Sequence, residues 1–206
     1  MELLTFTPQI RKAAVHWIAE GLLIVVSVAL GFAVSQLGES RAERRLAARV
    51  LNGVGAEVEY NLATVEPYIR VHHQWADALG KEAASKGTAS GVEVFLATRP
   101  ELPPGSTTNV PVLRRAAWDT TLSTAGLRLL DYDLAAGLSE IYGMQGRLEA
   151  SAGKIASETV FFDQAGRDAS VKMTWWAMQD IATAEEALVV LYRRHLSAMR
   201  RPAATP

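Results

Sequence analysis

The longest apolar stretch of the chain lies near its start. Over residues 13–37 the strongly polar side chains are those of His16, Glu20 and Gln36. A bilayer-spanning helix needs about 20 mainly apolar residues, whereas a buried core helix usually offers about 10–14. The pattern therefore predicts a retained transmembrane helix at residues 13–38, after an N-terminal tail of residues 1–12. A buried core helix is the alternative, and a cleavable signal peptide is disfavoured because no clear cleavage site follows.

Helical geometry places Glu20 on a narrow face of small residues. At about 100° per residue, this face continues, with His16 at its edge, through Ser27, Gly31, Ser35 and Gly38. The adjoining face, which suits acyl chains, carries Leu23, Val26, Leu30 and Val34. Small residues let two helices approach closely, and polar side chains in lipid are stabilised by facing another helix. We therefore predict an intramembrane helix contact through His16, Glu20, Ser27, Gly31 and Ser35.

A second interpretation of Glu20 needs no partner helix. The residue lies about one turn inside Trp17, which is placed to anchor the helix at one membrane interface. From there the carboxylate of Glu20 can extend to the lipid headgroups, or it can be protonated. Both interpretations remain open at the level of sequence.

After the apolar stretch the helical pattern continues without a linker, and residues 39–200 are predicted to form a helical domain. Apolar residues at spacings of three and four lead up to Pro67, which is expected to kink or restart the helix before it ends near Gly87. Residues 91–98 are compatible with a short helix or a strand. Residues 99–111 hold four of the 8 prolines and are predicted to be a loop.

Two long helices are predicted for the C-terminal part. The stretches from Leu134 to Phe162 and from Val171 to Met199 carry apolar residues at alternating spacings of four and three, and Gly166 separates them. Strand signals are scarce. The predicted fold class is therefore all-α, with one N-terminal transmembrane helix that continues into an antiparallel helical bundle. Residues 201–206 are expected to form a disordered tail.

Composition and charge argue against several classes of function. The formal net charge is −1, so no nucleic-acid partner is expected. The chain has no cysteine, which excludes disulfides, thiolate catalysis and thiolate-bound metals. No Ser–His–Asp order, glycine-rich phosphate loop or metal-binding motif occurs. We therefore expect no enzymatic activity, no cofactor and no metal.

Three polar residues in the predicted helices receive structural interpretations. His72 and His73 are adjacent and point about 100° apart, so they cannot hold one metal ion on a single helix face. Both are expected to be solvated or partly packed. Glu185 falls on the apolar seam of the last helix and is expected at a bundle edge or in an ion pair with an arginine such as Arg147. A ligand-contacting acid is the alternative.

Aromatic residues supply the other candidates for a site. Adjacent aromatics in the last two helices can leave one side chain of each pair exposed, which would mark a partner or membrane-surface site; a thick core is the alternative. Trp118, with Leu129 and Leu130, is predicted to pack across a corner of the domain, where a pocket for a small apolar ligand is the alternative. The candidate partner or pocket aromatics are Trp118, Tyr142, Phe161, Trp175 and Trp176.

Two stretches of the chain resemble a known family. The segment "HWIAEGLLIVVSVALGFAVSQLGESRAER" is similar to the opening of an uncharacterised family of bacterial single-pass membrane proteins, which have a Glu-containing N-terminal span and a C-terminal helical domain. The matching positions are Glu20, Gln36, Glu43 and Arg44. Residues 116–145 resemble a downstream element of that family through Trp118, Gly126, Leu129, Leu130, Leu138 and Tyr142. The resemblance implies a membrane-anchored helical domain and brings no activity, ligand or catalytic residue.

The expected location is the bacterial inner (cytoplasmic) membrane, crossed once. Lys and Arg residues nearly balance across the span once the α-amino group is included, and long domains translocate largely regardless of charge. The helical domain is therefore expected on the periplasmic side.

The expected function is that of a membrane-anchored helical interaction or scaffold protein, either an accessory subunit of a larger membrane complex or a homo-oligomer. Its expected partners are membrane lipid and, through the transmembrane helix, another membrane protein or its own copies. The alternative is a ligand-sensing or binding module that couples the helical domain to the transmembrane helix.

Overall fold

The described part of the chain is built from helices. In the computed structural model the backbone is described from residue 8 to residue 200, apart from residues 86–88, 99, 107 and 163–166; side chains are also left undescribed at residues 8–16, 18–19, 92, 125, 154–162 and 167–168. The elements in chain order are α1 (Pro8–Ser85), α2 (Gly91–Thr98), α3 (Ala116–Ser123), a 3₁₀ turn (Ala125–Leu129), α4 (Tyr132–Phe162) and α5 (Arg167–Met199). No strand occurs among the residues described, which confirms the all-α fold class.

The chain divides into two compact units, Met1–Ala48 and Arg49–Pro206, and α1 contributes to both. Of the expected N-terminal tail, residues 8–12 are helical, and the remainder lies outside the described residues. The expected C-terminal tail and the two glycines expected to end helices, Gly87 and Gly166, also lie outside them.

The first unit carries the apolar stretch of α1. Within the described residues, this is the one helix long and apolar enough to cross a membrane, judged by length and composition. Large apolar side chains point outward all around it and are exposed at Trp17, Leu22, Leu23, Ile24, Val25, Val26, Val28, Leu30, Phe32, Val34 and Leu37. The stretch is therefore not a core helix of this chain.

The second unit has a closely packed core. The buried apolar side chains of α1 include Val54, Val58, Val65, Trp75 and Leu79, and those of α4 and α5 include Leu138, Ile141, Ile181, Leu188 and Tyr192. These positions recur at spacings of three, four and seven, as the pattern of each helix predicts. Burying one such aliphatic side chain contributes about 1.5–3 kcal/mol, so the core is the main source of stability for this unit.

Pro67 lies inside α1, so of the two expected effects, a kink or a restart, the restart does not occur. A proline within a helix loses one backbone hydrogen bond and costs about 3 kcal/mol or more. Val65 and Tyr68 on either side of it are buried in the core of the second unit. Tertiary packing on both flanks keeps the helix running through this position.

Residues 91–98, for which the sequence is ambiguous, form the helix α2. The hydroxyl of Ser90 accepts a hydrogen bond from the Glu93 amide at 3.2 Å, and the Glu93 carboxylate accepts one from the Ser90 amide at 2.6 Å. This reciprocal pairing is a capping box, which satisfies two amides at the start of a helix. The helical alternative is therefore the correct one.

The proline-rich segment is irregular, as predicted, and continues beyond residue 111 to the start of α3. Its sharpest bend is a turn in which the Ser106 amide donates to the Pro103 carbonyl at 3.0 Å, with Gly105 at φ 80°. Proline in the second position and glycine with positive φ in the third are typical of a type II turn. We refer to residues 108–115, the last part of this segment, as the strap.

Candidate functional site

The small-residue face of α1 is open. Cβ atoms built at Gly31 and Gly38 would meet no atom of the chain within 4 Å. Ser27 donates its hydroxyl to the Leu23 carbonyl at 2.8 Å, so it acts here as a small residue rather than as a free polar one. Glu20 is exposed. Among the residues described, the face is thus open at these two glycines and carries one carboxylate near its start.

Ser35 and His16 are the other two members of the predicted contact. Ser35 is exposed and donates to the Glu39 carboxylate at 3.4 Å, a long hydrogen bond within the same helix. His16 is helical, but its side chain lies outside the described residues. The geometry therefore describes the contact face through Glu20, Ser27, Gly31 and Ser35.

Trp118 and Tyr142 form a buried pair in the second unit. Their rings stack nearly parallel, with centroids 5.0 Å apart. The Tyr142 hydroxyl donates to the Glu57 carboxylate at 2.6 Å. Burial, reinforced by this hydrogen bond, raises the pKa of Tyr142 far above its ordinary value, so the phenol stays protonated. These two aromatics occupy the core, which favours the packing interpretation of the corner.

Glu57 also supplies the cap that the local sequence of α3 lacks. Arg115, the residue before α3, makes no side-chain capping hydrogen bond. Instead the carboxylate of Glu57 accepts hydrogen bonds from the amides of Ala117 at 2.8 Å and Trp118 at 3.2 Å. A carboxylate at a helix N-terminus is favoured by both the free amides and the helix dipole. A residue of α1 therefore fixes the start of α3.

The strap is fastened to α1 by a series of buried side chains. Asn61 bonds both backbone groups of Arg114, donating to its carbonyl and accepting from its amide, each at 2.7 Å. The Tyr68 hydroxyl donates to the Thr108 carbonyl at 3.0 Å. These side chains satisfy backbone groups that a ladder or helix would otherwise satisfy. The strap is thus held in an extended path along α1 by polar residues spaced seven apart.

A fully buried polar pair of the domain is formed by His72 and Glu185. His72 Nδ1 and Glu185 Oε2 lie 2.8 Å apart, and the two residues are 1% and 0% exposed. His72 Nε2 lies 2.8 Å from the Asn109 carbonyl of the strap. The other carboxylate oxygen, Oε1, has no hydrogen-bond partner among the residues that the structure describes. This one pair therefore connects α1, α5 and the strap.

An aromatic stack surrounds the imidazole of His72. Tyr68 lies 5.9 Å from it and Trp75 lies 5.7 Å from it, measured between ring centroids. Trp75 in turn stacks on Phe95 of α2 at 4.2 Å, and its indole N–H has no hydrogen-bond partner. The surroundings of the pair are therefore apolar on two sides, which weakens the solvation of any charge held there.

These positions correct two sequence-based interpretations. His72 is buried rather than solvated, because it lies on the same face of α1 as Val65, Tyr68 and Trp75. Glu185 is buried at the seam position that the sequence indicates, and its partner is His72 rather than Arg147. The sequence marks both residues as unusual, since each is polar at an apolar seam position of its helix, but it does not pair them.

The neighbouring residues form an exposed copy of this pair. His73 Nε2 and Glu186 Oε1 also lie 2.8 Å apart, but these side chains are 44% and 54% exposed. The same two residue types at the same separation in sequence therefore occur once in the core and once in water. His73 matches the expectation of a solvated or partly packed histidine.

The remaining aromatic candidates differ in exposure. Trp175 is partly buried, and a Cβ built at Gly80 would lie 3.2 Å from its Nε1, so it packs across α1. Trp176 is 60% exposed, and Met173, one turn earlier on α5, is also exposed. The side chain of Phe161 lies outside the described residues. Trp176 is therefore the candidate that meets the requirement for an exposed aromatic.

A surface hollow lies at the corner between the 3₁₀ turn and α4. It has a volume of about 680 Å³, is open to solvent, and is lined in part by Leu127, Leu130 and Tyr132. The stacked pair Trp118–Tyr142 does not line it. A small apolar ligand would thus find a surface here rather than the interior position considered from the sequence.

No family model, curated protein or solved structure matches the chain.

Proposed function

We propose that the protein is a membrane-anchored helical interaction protein, which crosses a bilayer once through residues 13–38 and contacts another helix there. The partner is another membrane protein, which makes this chain an accessory subunit, or a further copy of the chain. Surrounding lipid covers the rest of the span.

The observation that carries this proposal is the complete exposure of the apolar stretch. Soluble monomers rarely expose contiguous apolar patches larger than a few hundred Å². Here large apolar side chains are exposed on every side of one helix, from Trp17 to Leu37. Lipid is the environment that suits such a surface, and a helix satisfies all its backbone groups internally, as lipid requires.

The small-residue face supports a contact within the membrane. Gly31 and Gly38 leave open space, and the hydroxyl of Ser27 is already bonded within its own helix. A second backbone can therefore come close without stranding a polar group. Glu20 would face a donor on the partner helix, where a carboxylate costs less than it does against acyl chains.

The domain of residues 39–200 is proposed to be an antiparallel bundle that presents its surface to the partner. Side-chain contacts between α4 and α5 pair Gln145 with Tyr192, while Gly137 lies against His195. The pairing partners thus run in opposite directions along the two helices, as short connections favour. The membrane is proposed to be a bacterial cytoplasmic membrane. The flanking charges nearly balance and long domains translocate largely regardless of charge, so the domain is proposed on the periplasmic side.

Replacing Glu20 tests the proposed contact. With Glu20→Leu we expect the partner, or the second copy, to be lost when the full chain is purified in mild detergent, because the polar anchor of the contact is removed. Glu43→Leu makes the same chemical change beyond the apolar stretch and should retain it. A wild-type chain that is a lone monomer at all concentrations would refute the proposal, and retention by Glu20→Leu would favour the headgroup interpretation.

A sensing module is the second candidate, and one observation favours it. The pair His72–Glu185 joins the strap, α1 and α5 through a buried group that can gain or lose a proton. The apolar stretch and His72 belong to the same helix, α1. A change in the packing of α1 around His72 would therefore act on the helix that also carries the apolar stretch. This candidate differs from the first in requiring a signal that alters the domain.

A further inference from the structure

We propose that His72 and Glu185 form a proton-operated latch: one shared proton holds α5 and the strap on α1, and its loss as pH rises releases the strap. The latch goes beyond the proposed membrane contact, and each can fail without the other. Its signal is the proton concentration on the side of the membrane where the domain lies.

Hydrogen-bond chemistry requires the proton. A backbone carbonyl can only accept, so His72 Nε2 carries a proton that it donates to the Asn109 carbonyl at 2.8 Å. The other ring nitrogen, Nδ1, faces Glu185 Oε2 at 2.8 Å. A hydrogen bond at this distance needs one proton between them, held either as an imidazolium beside a carboxylate or as a neutral imidazole beside a carboxylic acid. In both forms the pair is neutral overall.

Losing this proton leaves an arrangement that the site does not support. The lone pair of Nδ1 would face a carboxylate anion, and the second oxygen, Oε1, already lacks a partner. Both side chains are almost completely buried, so water cannot solvate the new charge in place. Relief comes when the pair separates or water enters. Either change weakens the contact of His72 with Asn109 and so frees the strap.

Few other groups influence the pair within the described residues. On α1, His73 and Tyr68 are its titratable neighbours, and Tyr68 is occupied in bonding the Thr108 carbonyl. On α5, Glu186 is directed to His73 at the surface. The strap contributes the uncharged carbonyl of Asn109, and α2 contributes Phe95 through Trp75. Beyond the strap, Tyr142 keeps its proton because burial raises its pKa.

The direction of the pH effect follows from Glu185. Burial raises the pKa of its carboxyl, and the neighbouring His72 lowers it by less. A group with a raised pKa in the folded state binds its proton more tightly there than in the unfolded chain. The stability that this carboxyl contributes is therefore fully present below its pKa in the unfolded chain. It is lost as pH rises through its pKa in the folded chain.

Hydrogen exchange of the strap measures the latch directly in the full chain in detergent. The amides of Arg114, Ala117 and Trp118 are bonded to side chains of α1, so peptides covering residues 108–118 report whether the strap is fastened. After correction for the intrinsic rate, we expect protection to fall as pH rises from neutral into the alkaline range. The limiting slope is about tenfold per pH unit, as release of one proton requires.

Two glutamine variants separate the latch from general alkaline effects. Glu185→Gln can donate to Nδ1 with its amide and cannot ionise, so its strap should keep a constant protection over the same range. Glu186→Gln makes the same change in the exposed copy of the pair and should follow the wild type. Constant protection in the wild type would overturn the proposal, and so would a wild-type loss that Glu185→Gln reproduces.

If Glu185→Gln fails to fold, the pH dependence of the unfolding free energy of the wild type tests the latch instead. The free energy of unfolding is determined against pH for the wild type and for Glu186→Gln. A latch predicts the same decline with pH in both chains, approaching the slope of one released proton. A flat profile in the wild type, or a decline that disappears in Glu186→Gln, would contradict it.

Discussion

Single buried polar residues of α1 organise the second unit. Glu57, Asn61 and His72 each bond backbone groups of the strap or of α3 that would otherwise lack partners. Buried polar groups are stabilising only when they are satisfied, so the position of the strap depends on these residues more than on its own sequence. Glu57 is the clearest case because one carboxylate accepts three hydrogen bonds.

Glu57→Gln is predicted to destabilise the domain by about 1–3 kcal/mol, the cost of leaving a buried polar group unsatisfied. The NH₂ group of the glutamine would face another hydrogen-bond donor, either the backbone N–H of Ala117 or the hydroxyl of Tyr142, and could not accept from it. The removed charge would also no longer favour the start of α3. Urea unfolding of the full chain in detergent, followed by circular dichroism, measures the loss.

Glu59→Gln is the matched control. Glu59 is exposed and pairs with Arg200 at the surface, so the same substitution there should cost less than about 1 kcal/mol. Equal losses in the two variants would show that the cap on α3 does not depend on Glu57.

At the scale of elements, the pattern of apolar positions predicts the long helices and misses their exceptions. The seams of α4 and α5 are found where the spacing indicates. Pro67 is expected to interrupt α1 because the local chemistry disfavours helix, and the buried neighbours Val65 and Tyr68 override it. For α2 the signal was present: Ser90 and Glu93 stand at the spacing of a capping box, which distinguishes helix from strand.

The candidate sites could be predicted only in part. Glu185 is conspicuous at an apolar seam position, but sequence alone does not show that His72 of a distant helix reaches it. The hydrogen bonds of Asn61 and Glu57 join residues more than fifty positions apart, and no local sequence pattern predicts such pairs. Long-range polar contacts depend on how the helices are aligned, which periodicity within each helix leaves open.

The packing of α2 on α5 provides a test at this scale. A Cβ at Gly91 would lie 2.7 Å from Thr174 Oγ1 and 3.0 Å from the Ser170 carbonyl, so Gly91→Ala requires α2 to move away from α5. We expect a loss of about 1–3 kcal/mol in the free energy of unfolding, the usual cost of overpacking. Chemical denaturation of the purified chain gives this value.

Gly143→Ala is the control for that substitution. A Cβ at Gly143 of α4 meets no atom within 4 Å, so alanine there should stabilise the helix by up to about 1 kcal/mol. A neutral or stabilising effect of Gly91→Ala would mean that the two helices are not in close contact at this point.

For the whole molecule, the division into an apolar helix and a packed helical domain makes the membrane contact the central claim. The domain buries its own apolar seams, whereas the apolar stretch of α1 leaves its side chains exposed. Four small residues, Ser27, Gly31, Ser35 and Gly38, share one face of this stretch with Glu20. If lipid covers the remaining surface, a partner helix should be found on that face and not on the opposite one.

The most direct measurement is site-specific photo-cross-linking in native membranes. A cross-linking amino acid is placed singly at Ser27, Gly31 or Ser35. Matched variants carry it on the opposite face, at Leu22, Val25 or Ala29. The account predicts a protein adduct of constant mass from the first three positions and none from the other three. Absence of protein adducts from the small-residue face, or equal yields from both faces, would contradict it.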